Sequence, residues 1–252
     1  MTAVVAAGRR VLPHGWSDFW LQLGIWLGFY FGYMGVRSLA DRDPARAFVN
    51  GFRVIGLEQR ITPHFFEQTA QRIADSSHFL LTLSAWTYWN SEFTVISIAF
   101  LWVYLRRHER FKQFRNTLLL TNVIGLIGYV VLPTAPPWMF PIFGFIDGVN
   151  HSRSFVGIFG NPYAAMPSLH AADALIVGVA LFLACRRWYF KVLWALWPAW
   201  VWFCVLATAN HFWLDVVAGI VVALVSLVLV RRVPWLNGRQ RAAELEPIAN
   251  LL

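Results

Sequence analysis

HFWLDVVAGIVVALVSLVLVRR, at residues 211–232, is the stretch that decides the class of fold. Between His211 and the two arginines at its end it carries a single charged side chain, Asp215. An α-helix needs about 20 mostly apolar residues to cross the hydrocarbon core of a bilayer, and arginines collect at cytoplasmic helix ends. The stretch therefore predicts a membrane-spanning helix that begins at a histidine and ends in the cytoplasm.

The rest of the chain has the same character. Of its 252 residues, 58% are hydrophobic and only 13% are charged, which is too apolar for an ordinary soluble domain. The apolar runs follow one another without a Gly/Ser/Pro linker, so we expect one membrane-embedded domain over residues 1–252 with its core at about 18–231. The net charge of +8 lies in short basic clusters between apolar runs, which argues against nucleic-acid binding.

Six segments are long and apolar enough to span a bilayer, which predicts an all-α bundle of six transmembrane helices. The predicted spans are residues 18–38, 85–106, 115–133, 169–186, 189–208 and 211–231. The first is longer than the apolar part of a secretion signal, so we expect the protein to retain it. Residues 45–84 mix charged and apolar side chains and predict one or two amphipathic helices at the membrane interface. Residues 134–168, rich in Pro, Gly and Phe, predict a long functional loop.

Basic residues indicate the orientation in the membrane. Most of the 21 Lys and Arg residues fall on one side of the predicted spans. These are Arg9, Arg10, Arg106, Arg107, Arg110, Lys112, Arg115, Arg186, Arg187, Lys191, Arg231, Arg232, Arg239 and Arg241. Because cytoplasmic ends collect Lys and Arg, we expect both termini in the cytoplasm and the long loops outside the plasma membrane.

His211 and Asp215 are the first candidates for chemistry. They lie four residues apart, on one face of a helix, so the carboxylate can reach the imidazole. A carboxylate at Nδ1 would fix the tautomer and direct Nε2 outward, as a nucleophile or a metal ligand. The alternative is structural, with Asp215 only pairing with His211 or capping a neighbouring helix.

His170 begins another apolar helix on the same predicted outer face. Pro167 and Ser168 precede it, and they would open the helix and leave its first N–H groups available to an anion such as phosphate. The alternative is an ordinary capped helix start near the lipid headgroups. Asp173, three residues on, can either orient His170 or face another helix, and the spacing does not decide between them.

Together these segments resemble the type 2 phosphatidic acid phosphatase superfamily. Pro167-Ser168-Leu169-His170 and His211-Phe-Trp-Leu-Asp215 are similar to its second and third motifs. The resemblance is closer to the branch that contains inositol phosphorylceramide synthases. That branch is also indicated by residues 132–137 (LPTAPP), residues 36–40 (VRSLA) and Leu57-Glu58.

Two departures concern how phosphate would be held. The superfamily's first motif, a Lys and an Arg-Pro seven residues apart, is absent, and Cys204-Val205 replaces the Ser-Arg that opens its third motif. The synthase-like branch lacks these cations as well. The nearest arginines on the predicted outer side are Arg37 and Arg153, which we expect to replace them. Glu92 stands where that branch commonly has a histidine.

The resemblance implies a reaction without a cofactor or metal. His211 would attack phosphorus, Asp215 would hold its tautomer, and His170 would protonate the departing oxygen, leaving a phosphohistidine. The helix start at Ser168 would stabilise the charge on the phosphate oxygens. Membrane lipids would be the substrates. A lipid or sugar hydroxyl as acceptor makes the protein a phosphotransferase moving a group such as phosphoinositol, and water makes it a lipid-phosphate phosphatase.

Two readings of another class stay open. The two histidines with Asp215 and Glu92 would also suit a metal site or a proton relay in a six-helix transporter. A transporter more often contains internal repeats, and the first and last three predicted helices show none. A non-catalytic membrane scaffold is the remaining reading.

Overall fold

The computed structural model describes residues 12–39, 43–149, 163–233 and 236, and they form an all-helical structure. In chain order the helices are α1 Gly15–Leu39, α2 Pro44–Ile61, α3 Phe66–Asp75, α4 His78–Asn90, α5 Ile96–Arg106, α6 His108–Val131, α7 Leu169–Ala184, α8 Trp188–Ala207 and α9 Trp213–Arg232. The described part of the chain has no strand, only an isolated parallel bridge between Thr134 and Ala164. The all-α prediction is confirmed for these residues.

Several helices have the character of membrane spans. Among the described residues, α6, α8 and α9 are long and apolar enough to cross a bilayer by length and composition. Helix α7 is also apolar but has only 16 residues. The segment predicted as one span at 85–106 is divided, because α4 passes through a π-helical turn, Ser91–Val95, into α5. A membrane protein is thus supported, and the count of six spans stays a prediction.

The segment predicted as amphipathic, 45–84, forms α2, α3 and the first half of α4. The residues that α2 buries recur every three or four positions and therefore form one face. They are Ala47, Asn50, Gly51, Val54, Ile55 and Glu58. Helix α3 buries a similar face that includes Glu67, and it packs against α8. Both helices are amphipathic, and their place at a membrane interface stays a prediction.

Helix α7 lies at the centre of the bundle, where it packs against α5, α6, α8 and α9. Its sequence is rich in Ala and Gly, and small residues let neighbouring helices approach closely. A Cβ atom on Gly178 would lie 2.8 Å from both Pro198 Cγ and the carbonyl oxygen of Trp194. The absence of a side chain there is what allows α8 to contact α7 along its length.

The first turns of α7 and α9 meet at one end of the bundle. The N–H of Ser168, which precedes α7, donates a hydrogen bond to the carbonyl oxygen of Asp215 in α9, at 3.0 Å. A Cβ atom on Gly219 would overlap the carbonyl oxygen of Ser168, so only glycine permits this approach. The two segments predicted to carry the catalytic histidines are thereby brought into direct backbone contact.

Candidate active site

His211 is held in the tight turn between α8 and α9. Ala209, in the same turn, has a φ of 54°, in the left-handed region that residues with a side chain seldom adopt. The backbone N–H groups of Asn210 and His211 both donate to the carbonyl oxygen of Val205, at 3.1 and 3.3 Å. His211 itself is only 4% exposed. The turn therefore fixes both the position and the direction of the imidazole.

The partner of His211 Nδ1 is a backbone oxygen. Nδ1 lies 2.9 Å from the carbonyl oxygen of Ala165. A carbonyl only accepts hydrogen bonds, so Nδ1 carries a proton, and in the neutral imidazole Nε2 then carries the lone pair. This is the tautomer that a nucleophilic histidine needs, and Ala165 supplies it in the role expected of Asp215.

Asp215 lies beside His211 at ion-pair distance. Its Oδ2 atom is 3.6 Å from His211 Nδ1, beyond hydrogen-bond distance, and accepts the N–H of Phe212 at 2.8 Å. That bond caps the first turn of α9, its own helix rather than a neighbouring one. Asp215 is completely buried and holds a carboxylate next to the imidazole, where a negative charge would stabilise a developing positive charge.

His170 faces His211 across the site. The centroids of the two imidazole rings are 5.6 Å apart, and the planes are inclined by 56°. On its other side His170 stacks on Tyr88, with ring centroids 4.6 Å apart and an angle of 16° between the rings. The pairing of the two histidines, predicted from their positions at the outer ends of two helices, is what the structure shows.

Glu92 is the acidic partner of His170. Its Oε2 atom lies 3.5 Å from His170 Nε2, and its Oε1 accepts a hydrogen bond from the Tyr33 hydroxyl at 3.3 Å. Glu92 belongs to the π-helical turn between α4 and α5, and such turns are frequent at functional sites. The sequence marks Glu92 both as a departure from a family pattern and as a possible member of a metal site or proton relay. The structure places it in contact with a candidate catalytic base.

Ser168 and Asp173 hold α7 rather than the histidine. The Ser168 hydroxyl accepts the N–H of Ala171 at 3.2 Å and is fully buried, which is the capped helix start that the sequence left as the alternative. A role of this helix start in binding phosphate stays a prediction. Both Asp173 oxygens accept hydrogen bonds from Asn122 Nδ2 on α6, at 3.0 and 3.1 Å. The open question about Asp173 is therefore answered, since it faces another helix.

The expected phosphate-binding arginines are not located. Arg153 and the side chain of Arg37 lie outside the described residues. At the same end of the bundle α2 carries Arg46, whose guanidinium donates to the carbonyl oxygen of Val131 at 2.7 Å, and Arg53, which bonds Asn50 at 3.4 Å. Among the residues the structure describes, no group of three or more His, Cys, Asp and Glu is arranged to hold a metal ion.

Two further carboxyl groups contact the start of α9, and both come from helices that do not carry the histidine motifs. Glu67 on α3 accepts the N–H of Trp213 at 2.6 Å, and Glu58 on α2 accepts the N–H of Leu214 at 3.1 Å. The sequence had singled out Glu58 only as part of a resemblance and Glu67 not at all. Both glutamates lie on the buried faces of their helices, and for Glu58 the helical spacing from Val54 and Ile55 is a signal present in the sequence.

Comparison with known proteins gives a family match and several relatives. The model of the PAP2 superfamily matches residues 53–229. A phosphoinositol dihydroceramide synthase of Bacteroides thetaiotaomicron is 31% identical over 137 residues, which cover 47% of this chain and 45% of that protein. An inositol phosphorylceramide synthase of Candida albicans is 24% identical over 122 residues, covering 41% of this chain and 26% of that protein. The chain thus matches less than half the length of these curated relatives.

A solved structure shares the fold. The crystal structure of Aquifex aeolicus LpxE superposes with a TM-score of 0.50 at 16% sequence identity, covering 66% of this chain and 93% of that one. At this identity the match concerns the helical arrangement alone. Together with the family match, which includes the segments carrying both histidines, it accounts for the fold described above.

Proposed function

Because the chain belongs to the PAP2 superfamily, we propose that it is a membrane lipid phosphotransferase that works through a phosphohistidine at His211. The group transferred is a phosphoryl or a phosphoryl-alcohol such as phosphoinositol. The observation that carries the proposal is the pair of facing imidazoles, 5.6 Å apart, with the proton of His211 fixed on Nδ1 by Ala165. Two imidazoles at this separation can both contact one phosphoryl group.

The first step forms the phosphohistidine. The lone pair on His211 Nε2 attacks phosphorus, a P–N bond forms, and the P–O bond to the departing alcohol breaks. His170, as the imidazolium, gives its proton to the departing oxygen. Glu92 at 3.5 Å and Asp215 at 3.6 Å stabilise positive charge on His170 and His211 respectively.

The second step releases the group to an acceptor. His170, now neutral, takes the proton of the acceptor hydroxyl as its oxygen attacks phosphorus and the P–N bond breaks. A lipid or sugar hydroxyl gives a new phosphodiester or phosphoester, whereas water gives hydrolysis. The two relatives named above are synthases of phosphoinositol-bearing ceramides, which favours a hydroxyl acceptor.

The site is proposed to face the outside of the plasma membrane. Arg107 and Arg110 donate to the carbonyl oxygens of Ala184 and Leu183, at 2.9 and 2.7 Å, at the end of the bundle where α7 finishes. The two histidines lie where α7 and α9 begin, which is the opposite end. Since basic clusters mark cytoplasmic ends, this arrangement supports an outer site and cytoplasmic termini.

The test is a product analysis with purified protein. Phosphatidic acid, phosphatidylinositol and isoprenyl phosphates would be supplied with and without alcohol acceptors, and the lipid products identified by mass spectrometry. We expect a new phosphodiester that depends on the added alcohol and persists in EDTA. Release of inorganic phosphate without a new phosphodiester would show that the protein hydrolyses lipid phosphates and does not transfer them. Activity that is lost in EDTA and restored by a divalent cation would refute the metal-free mechanism.

A further inference from the structure

Three carboxyl groups accept hydrogen bonds from three consecutive backbone N–H groups directly after His211. Asp215 accepts the N–H of Phe212 at 2.8 Å, and Glu67 and Glu58 accept those of Trp213 and Leu214 at 2.6 and 3.1 Å. The first N–H groups of a helix have no partner inside the helix. Here they are satisfied by three different helices, so the position of His211 depends on α2 and α3 as well as on α9.

The same three groups are too buried and too close together for all of them to be ionised. Each is completely buried, and each keeps one oxygen without a hydrogen-bond partner, namely Glu58 Oε2, Glu67 Oε2 and Asp215 Oδ1. Within the described part of the chain no Lys or Arg pairs with either glutamate. Adjacent buried carboxylates without a cation are costly, and binding a proton removes that cost.

The pKa values follow from this burial. Burial raises the pKa of Glu58 to about 9, with the charges of Glu67 and Asp215 adding to the effect. Burial also raises the pKa of Glu67 to about 7, against the hydrogen bond from Trp213, which lowers it. At neutral pH the pair therefore holds at least one proton, while one oxygen of each group still accepts its backbone N–H.

We propose that Glu58 and Glu67 are positioning residues that hold His211 through the first turn of α9, and that their protonation sets an alkaline limit on the reaction. This inference rests on the proposed function. When both glutamates lose their protons they repel each other and Asp215, and the turn carrying His211 loses its support. The groups that face the pair are Asp215 and, beside it, His211.

The raised pKa values of the two glutamates also make the stability of the fold depend on pH. In the unfolded chain a glutamate releases its proton near pH 4.3. In the folded protein Glu67 and Glu58 keep theirs to about pH 7 and 9, so between pH 4.3 and 9 the folded state binds more protons. Stability is therefore greatest below that window and falls as pH rises through it.

The experiment uses glutamine and alanine variants at each position in the full-length protein. Glutamine keeps an accepting oxygen and cannot ionise, whereas alanine removes the acceptor. We expect kcat at pH 6 to stay within about threefold of the wild-type value in Glu58→Gln, Glu67→Gln and the double glutamine variant. In the double variant, we expect the fall in kcat at alkaline pH to occur roughly one pH unit or more above that of the wild type. Alanine should lower kcat by roughly tenfold while KM changes less than about twofold. Asp75→Asn, an exposed acid on α3, is the control and should match the wild type.

Two results would overturn the proposal. One is an alkaline limb that stays in place in the double glutamine variant. The other is a glutamine variant as inactive as its alanine counterpart, which would mean that the negative charge itself is required. Thermal unfolding in detergent from pH 5 to 9 gives a readout independent of activity. The wild type should lose stability as pH rises and the double glutamine variant should not, even if the transfer assay fails and refutes the proposed function.

Discussion

At the scale of single residues, the two imidazoles have different neighbouring groups, so we expect substitutions of the two histidines to have different effects on the reaction. His211 has its tautomer fixed by a backbone oxygen and a buried carboxylate beside it, which suits a nucleophile. His170 is stacked on Tyr88 and paired with Glu92, which suits a group that exchanges protons. We expect replacement of each histidine to stop a different step of the proposed reaction.

His211→Ala should abolish formation of the intermediate. We expect transfer to fall by roughly a thousandfold or more, because the proposed attack on phosphorus is made by His211 Nε2. Acid-labile radioactivity from a labelled donor should be trapped on wild-type protein and be absent from the variant. His78→Ala, at an exposed position at the start of α4, is the matched control and should retain both. Label retained in His211→Ala would move the nucleophile elsewhere.

Glu92→Gln should slow the reaction without preventing substrate binding. The amide keeps the shape of the side chain but cannot stabilise the imidazolium of His170 at 3.5 Å. We expect kcat to fall by roughly tenfold, equivalent to about 1.4 kcal/mol, with KM little changed. Steady-state kinetics on detergent-solubilised protein would measure both values. An unchanged kcat would show that Glu92 does not stabilise the His170 imidazolium during the reaction.

At the scale of secondary structure, the site depends on how closely α9 approaches the start of α7. The carbonyl oxygen of Ser168 occupies the place where Gly219 would carry a Cβ atom, and the N–H of Ser168 bonds the carbonyl oxygen of Asp215. Each histidine is therefore positioned by the helix that carries the other. A small displacement between these helices changes the distance between the rings.

Gly219→Ala should separate the two helices and disturb the site. Alanine in the middle of a helix normally stabilises by up to about 1 kcal/mol relative to glycine. The overlap with the Ser168 backbone should reverse the sign, for a net loss of about 1–3 kcal/mol and a lower kcat. Gly28→Ala, in α1 with open space around it, is the control and should be neutral or stabilising. Thermal unfolding and activity of both variants would decide the matter.

At the scale of the whole molecule, the histidines lie at one end of the bundle and the arginine-rich turns at the other. Ile142 is 86% exposed in the loop at the histidine end, and Trp188 is 74% exposed at the start of α8, at the arginine end. The proposed topology puts these two positions on opposite sides of the membrane.

Cysteine labelling in intact cells tests this topology. In a background with Cys185→Ser, which removes the native partly exposed thiol, we expect a membrane-impermeant maleimide to label Ile142→Cys from outside. Trp188→Cys should be labelled only after the cells are opened. The reverse pattern would place the histidine end of the bundle on the cytoplasmic side and refute the proposed orientation.

The sequence predicted the parts of this architecture that follow from local pattern. Long apolar runs give helices, and two histidines at the starts of outward-facing helices must share one end of the bundle. It did not predict the Ala165 carbonyl on His211 or the contact of Glu92 with His170, because both depend on a turn and a π-helical segment without a periodic signal. The sequence does not predict the burial of Glu67, because a charged residue in an amphipathic helix ordinarily faces water.

The backbone contact between Ser168 and the start of α9, at Asp215 and Gly219, also limits how the distance between the two imidazoles can change. Because the two imidazoles are carried by backbones in contact, a change in their separation requires α7 and α9 to move relative to each other. We expect access and choice of substrate to depend on the described segments around the pair, which are α2, α3 and residues 132–149. If the proposed reaction is correct, we expect a change of headgroup preference to come from substitutions in these segments, with the two histidines unchanged.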